Sequence, residues 1–268
     1  MELTQKRAPR RAPPLLGFRQ ALLAKELPEW RRTKRLWVAL GVQMVAVVLL
    51  VLLAYLLADA PLRGGRRLVG ASFRESWVGG WAALNSSVSL AVVVAATMGA
   101  LSREWAEGTA AWAFTKPLSR SAFLGAKLVS YAFWTAMLLV VPGVLVVGSA
   151  LLLFDGFRLH DLLLAMLPQL LHAWLFMACT LAVSAWFASQ AVVGFVGFGL
   201  LLGSFVASPF LFAWSRAVGQ AMPVNLAGIA ASRAIGRTAV HWSPVAVSLV
   251  IIVVALVLAQ VGVARRRF

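Results

Sequence analysis

A chain of 268 residues that is 61% hydrophobic, only 13% charged and formally +16 lies outside the range of water-soluble domains, which are about half apolar and about a quarter charged. Runs such as 36–57, 191–213 and 244–264 carry no acidic or basic side chain, and each is long enough to cross a hydrocarbon core about 30 Å thick. A soluble enzyme, a disordered tail and a small secreted domain are excluded; the composition points to a single all-α, polytopic membrane domain.

In chain order, residues 1–14 read as a flexible basic N-terminus, with Pro9, Pro13 and Pro14 among arginines, a composition that cannot bury a core. Over 15–35, Leu16, Leu23, Leu27 and Trp30 share one helical face while Lys25, Glu29 and Arg32 point elsewhere. This is the pattern of an amphipathic helix lying in the membrane interface, interrupted near Pro28. Six spans follow, at about 36–58, 78–101, 121–153, 161–187, 191–213 and 244–264. Ala58-Asp59-Ala60 resembles a signal-peptidase site, but the apolar run before it is about 22 residues, longer than the 7–15 of a signal peptide. In the long third span, Pro142-Gly143 sets a bend. Trp77, Trp81, Trp214 and Trp242 fall near span ends, where interfacial aromatic anchors belong. The 214–243 connection is the longest on its side, and Asn225 is placed to cap a short helix through Leu226, Ile229 and Ala230.

Charge orients the chain. The N-terminal segment, the 102–127 loop and the tail hold 17 of the basic residues, and the opposite loops hold 8. Arg63, Arg66, Arg67 and Arg74, all in the first opposite loop, run against the trend. The imbalance puts both termini in the cytoplasm and makes 214–243 extracytoplasmic, in a multi-pass protein of the cytoplasmic (inner) membrane.

Groups for chemistry are sparse. All nine carboxylates fall in loops or at span ends, so there is no acidic proton relay across the membrane. The sequence has no zinc-binding His-Glu-x-x-His and no Gly-x-Ser-x-Gly nucleophile turn. Gly125-Ala126-Lys127-Leu128 lacks the first glycine and the Ser/Thr of a phosphate loop. The single Cys179 reads as a small buried hydrophobe, and His172 as a neutral imidazole hydrogen-bonded between helices rather than a metal ligand. No catalytic, cofactor-binding or metal-binding residue is expected.

Two sets of residues could line a path. Span two carries Asn85, Ser86, Ser87 and Ser89; span five carries Phe195, Phe198, Leu202 and Phe205 on one face, with Gly199-x-x-x-Gly203. Interhelical packing is the more general use of both. Span two is the better cavity candidate, because amide and hydroxyl groups facing lipid are costly.

The 102–120 loop has legible local physics. Gly108 breaks a first turn, Thr109 caps a second short helix and Pro117 stops it. Ser119 then caps span three, with Leu118 and Phe123 as a hydrophobic staple. Short helices along the cytoplasmic face are expected.

In order and spacing, Glu104, Gly108, Thr109, Pro117, Leu118, Ser119, Arg120, Gly125 and Lys127, with Lys25-Glu26 ahead of span one, resemble the permease subunits of type-2 ABC transporters. Trp105 and Trp112 make the loop more aromatic than that pattern. The resemblance implies a non-catalytic transmembrane half of an exporter, with Lys25 and Glu26 on an N-terminal elbow helix. It assigns ATPase coupling to Glu104, Glu107, Gly108, Thr109, Pro117 and Arg120, and the translocation path to Asn85, Ser89, Phe195, Phe198 and Phe205. It further implies two separate ABC ATPase subunits, which would hold ATP and magnesium, and a second permease half, identical or related. No cofactor on this chain and no nucleic acid follow from it; membrane lipids surround it. Glu104 is expected to pair with a basic residue of the ATPase or of the elbow helix. The alternatives are an ATP-independent secondary carrier or channel, and a membrane anchor of an enzyme complex. The missing intramembrane carboxylates count against a carrier, and the missing nucleophile or metal constellation against the anchor.

Overall fold

A computed structural model of the chain describes Glu26, Trp30 and residues 34–58, 71–110, 115, 119–154, 156–237 and 241–266. The expected flexible stretch 1–14, most of the expected elbow helix and the 59–70 loop lie outside these described residues. The elements are α1 (Lys34–Ala58), then α2 (Ala71–Leu84), which runs through a π-helical turn (Asn85–Ser89) into α3 (Leu90–Thr97). α4 (Ser102–Ala106), α5 (Arg120–Leu153), α6 (Leu159–Trp186) and α7 (Gln190–Trp214) follow. The chain closes with α8 (Arg216–Ala221), a 3-10 turn (Pro223–Asn225), α9 (Leu226–Ala234) and α10 (Ser243–Arg265). Among the described residues there is no strand.

Among the described residues, six stretches are long and apolar enough to span a membrane: α1, α5, α6, α7, α10, and the composite helix over Glu75–Ala106. They coincide with the six expected spans. The second helix begins at Ala71, ahead of its apolar part, because hydropathy marks the membrane-immersed stretch while helical hydrogen bonding continues past it.

Helix starts follow capping chemistry. Ser119, extended, accepts from the Ala122 N–H at 3.1 Å and starts α5; Ser189 and Ser215 do the same for α7 and α8. Each satisfies one of the N–H groups a helix start leaves without an intrahelical partner. The turns after α4 and α9 each contain a glycine with positive φ, Gly108 (+70°) and Gly236 (+78°), a conformation costly for a residue with a Cβ. Asn225 behaves differently from expectation. Its amide makes no cap on α9 and instead donates to the carbonyls of Gly219 (2.6 Å) and Gln220 (3.1 Å) at the end of α8. It lies in helical conformation inside the 3-10 turn, so its side chain faces back.

α6 is the hub, packed against α3, α5, α7, α9 and α10. α1, α7 and α10 leave apolar faces outward, for example Val45 and Leu49, Leu202 and Val206, Val250 and Val253. Such faces need no protein partner in a bilayer, whose acyl chains are as apolar as they are. Trp214 and Trp242 are exposed near span ends, as interfacial anchors are. Trp77 and Trp81 are instead buried; they belong to the core of one end of the bundle, where Trp77 meets Phe154 (5.4 Å) and Phe157 (6.0 Å) between ring centroids.

Candidate functional site

The opposite end of the bundle gathers α4, the start of α5, the end of α6, the end of α10 and the two described residues of the N-terminal segment. Its centre is Lys127, two turns into α5. The Lys127 Nζ donates to Glu26 Oε2 at 2.9 Å and to Glu104 Oε1 at 2.5 Å. The three side chains are 4%, 6% and 18% exposed, respectively. Removing an ammonium from water costs several kcal/mol, recovered only where counter-charges and hydrogen bonds are in place. Two carboxylates from two other segments supply them, and the cluster carries one net negative charge.

Local sequence explains the arrival of each partner. Glu26 and Trp30 are both helical and buried, and a four-residue separation puts them on one face. Lys127, Tyr131 and Trp134 form the matching stripe on α5. Trp30 meets Tyr131 edge-on at 4.9 Å and stacks on Trp134 at 6.2 Å, so aromatic packing seats the segment and the ion pair fixes its register. Glu104 comes from α4. On the same short helix, Trp105 donates through Nε1 to the Ser184 carbonyl of α6 at 3.0 Å, and its ring faces Phe123 at 6.3 Å.

The tail closes the arrangement. The Arg266 guanidinium lies 5.2 Å from the Trp105 ring centre and donates to the Trp186 carbonyl at 2.7 Å. Arg265 lies over Trp186 at 5.6 Å, and Arg120 donates to the Ala264 carbonyl. α4 is thus tied to α5, to α6 and to the end of α10 at once.

The other expected coupling residues stand apart from the buried cluster. Glu107 pairs with Arg103 at 2.6 Å, with about half of each side chain in solvent, which is worth about 0–1 kcal/mol. Gly108 makes the turn, Thr109 is exposed, and Lys25 and Pro117 lie outside the described residues. Among the described residues, Glu104 pairs with Lys127 of α5. Lys127, which by sequence falls at the end of the basic 102–127 loop, is inside the helix of span three, and its role does not follow from the loop pattern. The available signal was a lysine within an apolar helix, which calls for a named counter-charge.

The expected path residues divide similarly. Asn85 and Ser89 do meet, the Ser89 hydroxyl donating to Asn85 Oδ1 at 2.9 Å within the π turn. Phe195 is 82% exposed, and Phe198 and Phe205 are half-buried against the main apolar cluster. α7 packs inward through Val193, Gly194, Gly197 and Leu201, where Gly197 lets it approach Val94 of α3 and Thr180 of α6. Gly199 and Gly203 face open space. His172 is buried beside Phe176, and neither ring nitrogen has a hydrogen-bond partner, contrary to the expected interhelical bond.

The family profile described as ABC-2 family transporter protein matches residues 22–209, a stretch holding Glu26, Glu104, Lys127, the first four spans and most of the fifth. No curated protein matches the chain.

Proposed function

The chain belongs to the ABC-2 transporter family, and from that premise we propose that it is the transmembrane subunit of an ATP-driven exporter. Members of this family are generally non-catalytic membrane subunits that work with ABC ATPase partners. In our reading two separate ATPase chains bind ATP and magnesium, and a second permease half, identical or related, completes the membrane portion.

The observation that carries the reading is the Glu26–Lys127–Glu104 cluster. A docking element must transmit displacement rather than absorb it. α4 is short, yet it is fixed to α5 through Lys127, to α6 through Ser184 and to the α10 end through Arg266. Its other face and the turn that follows it present Arg103, Glu107 and Thr109 to solvent. A push on that face would reach three spans. Ligand- or nucleotide-driven alternation requires two states bound differently, and ATPase closure against α4 would supply the bias. Both termini and α4 would be cytoplasmic, in the inner membrane, with 214–243 outside. The basic asymmetry supports this, as does the meeting of Glu26, α4 and the tail at one end.

Affinity purification of the full chain from its native membrane tests the reading. Recovery of a Walker-type ATPase in stoichiometric amount, with ATP hydrolysis only in the complex, is expected. Hydrolysis by the isolated chain would overturn it. A cysteine placed at 266 in a Cys179-free background should react only from the inside; reaction from outside would reverse the orientation.

A further inference from the structure

The interior holds a second feature, in the middle of the bundle. Buried apolar side chains form two separate clusters. One includes Ala39, Leu90, Leu138, Leu139 and Ala173; the other includes Val47, Trp81, Val146, Val147 and Ala165. Between these members, each of spans one to four carries a polar residue or a helix-breaking pair on the same stripe. Gln43 stands four residues from both Ala39 and Val47, and Gln169 four from both Ala165 and Ala173. Pro142 and Gly143 stand in the same relation to Leu138 and Val146, and to Leu139 and Val147. Ser86 lies between Trp81 and Leu90. Four residues is about one helical turn, so the four spans interrupt their apolar stripes at one level.

Two independent observations mark that level as a site. Gln43, Ser86 and Gln169 are each at most 2% exposed. Both ends of the Gln43 amide, the Ser86 hydroxyl and the Gln169 Nε2 have no hydrogen-bond partner within the protein. One turn away, His172 brings two more unpartnered ring nitrogens. The backbone is also interrupted there: span two makes its π turn at Asn85–Ser89, α5 contains Pro142 and α6 contains Pro168. Pro142 withholds the N–H that would meet the Leu138 carbonyl. The π turn packs against both α1 and α6, which brings the layer together.

We propose that this layer is a buried water site, holding water hydrogen-bonded to Gln43, Ser86 and Gln169 between the two apolar halves of the bundle. The donor set selects the ligand. Amide and hydroxyl groups offer both donors and acceptors, which suits a molecule that also does both. Among the described residues no carboxylate or thiolate stands at this level to balance a cation, and an ion left unbalanced in the interior is heavily penalised. A buried water typically makes two to four hydrogen bonds, which these groups supply. Met166 stands at the layer with its methyl against Gly143, where a Cβ would overlap it; its flexible thioether can swing aside. Water here satisfies groups that would otherwise be bare. It also lets the two halves of spans two to four shift at their breaks while every polar group keeps a partner. The site depends on this chain's packing alone and is independent of the ATPase reading.

Radiolytic hydroxyl labelling of the full chain in lipid nanodiscs tests it, since radicals formed from bound water modify adjacent side chains. His172 and Trp81 are the probes; Met177, buried inside one apolar cluster, is the control. Labelling of both probes well above Met177 is expected, falling to the Met177 level in Gln43→Leu and in Gln169→Leu. Wild-type labelling of His172 and Trp81 no greater than that of Met177 would overturn the proposal even if neither variant folds. Labelling that persists unchanged in both variants would overturn it as well.

Discussion

At the end of the bundle that carries α4, three charges meet almost entirely out of water; at the other end, Arg237 and Glu75 meet at 3.0 Å with side chains 62% and 48% exposed. The two ends also differ in what does the seating. α9 is held by apolar contact, with Ala230 and Ala234 in the cluster of Trp77, Trp81 and Leu162. α4 contributes only Ser102 as a fully buried residue and relies on directed bonds from Glu104 and Trp105. Apolar packing tolerates sliding, whereas a buried ion pair has one good geometry and is costly to leave half-made. The comparison assigns rigid linkage to the α4 end and adjustable closure to the α9 end.

The sharpest way to break that contrast is Lys127→Met. It leaves Glu26 and Glu104 facing each other without a cation, and breaking a buried pair by removing one partner costs about 3–5 kcal/mol. Thermal unfolding of the detergent-solubilised chain should register a large drop in midpoint. The triple variant Lys127→Met, Glu26→Gln, Glu104→Gln should regain much of it, because no uncompensated charge is then buried. An unchanged midpoint in Lys127→Met would mean the cluster does not hold this end together.

Glu104→Gln comes next. Lys127 keeps Glu26, and the amide can still accept a hydrogen bond, so the loss is that of one charge-assisted bond, about 2 kcal/mol. Under the proposed function it should also uncouple ATP hydrolysis from transport, or weaken ATPase association, in reconstituted vesicles. Wild-type coupling and unchanged complex stability would reduce Glu104 to a fastening within the chain.

How far these features can be read from sequence depends on the range of the physics. The six spans, the Ser119 cap and the Gly108 turn are local, set by runs and neighbours within a few residues, and the structure reproduces them. The Glu26–Lys127–Glu104 cluster is not local: Glu26 and Lys127 are 101 residues apart, and no pattern in either segment names the other. Resemblance to a family flagged Glu26, Glu104 and Lys127 but not that they touch. The burial of Trp77 and Trp81 escaped because a tryptophan near a span end has the same sequence signature in an interfacial belt as in a core. The π turn escaped because Asn85–Ser89 differs from an α-helix by one hydrogen-bond step, which composition does not encode.

A smaller effect is expected at that π turn, which belongs to neither end. Alanine at both Asn85 and Ser89 removes the 2.9 Å bond between them, worth about 1 kcal/mol, and leaves the apolar clusters intact. Complex yield should stay near normal while substrate-stimulated ATPase activity changes. If instead assembly fails and whatever complex forms is fully active, Asn85 and Ser89 serve packing. A double-mutant cycle would separate the pair's own bond from the loss of each side chain, since the two are in contact and need not be additive.

The smallest effect should come from Arg237→Ala, and its smallness is what the comparison requires. Arg237 follows the Gly236 turn that ends α9, and it reaches Glu75 near the start of α2 across open solvent. Both side chains keep about half their surface or more in water, where the Coulomb gain is screened and offset by the entropy of ordering two long side chains. Exposed pairs of this kind are worth about 0–1 kcal/mol. The unfolding midpoint of Arg237→Ala should therefore stay close to wild type and be insensitive to added salt, while Lys127→Met falls under the same conditions. Equal losses in the two variants would mean that α9 is held as rigidly as α4, by charge rather than by the Trp77 cluster. The division between a linked end and an adjustable end would then fail, and with it the argument that α4 alone is built to carry force.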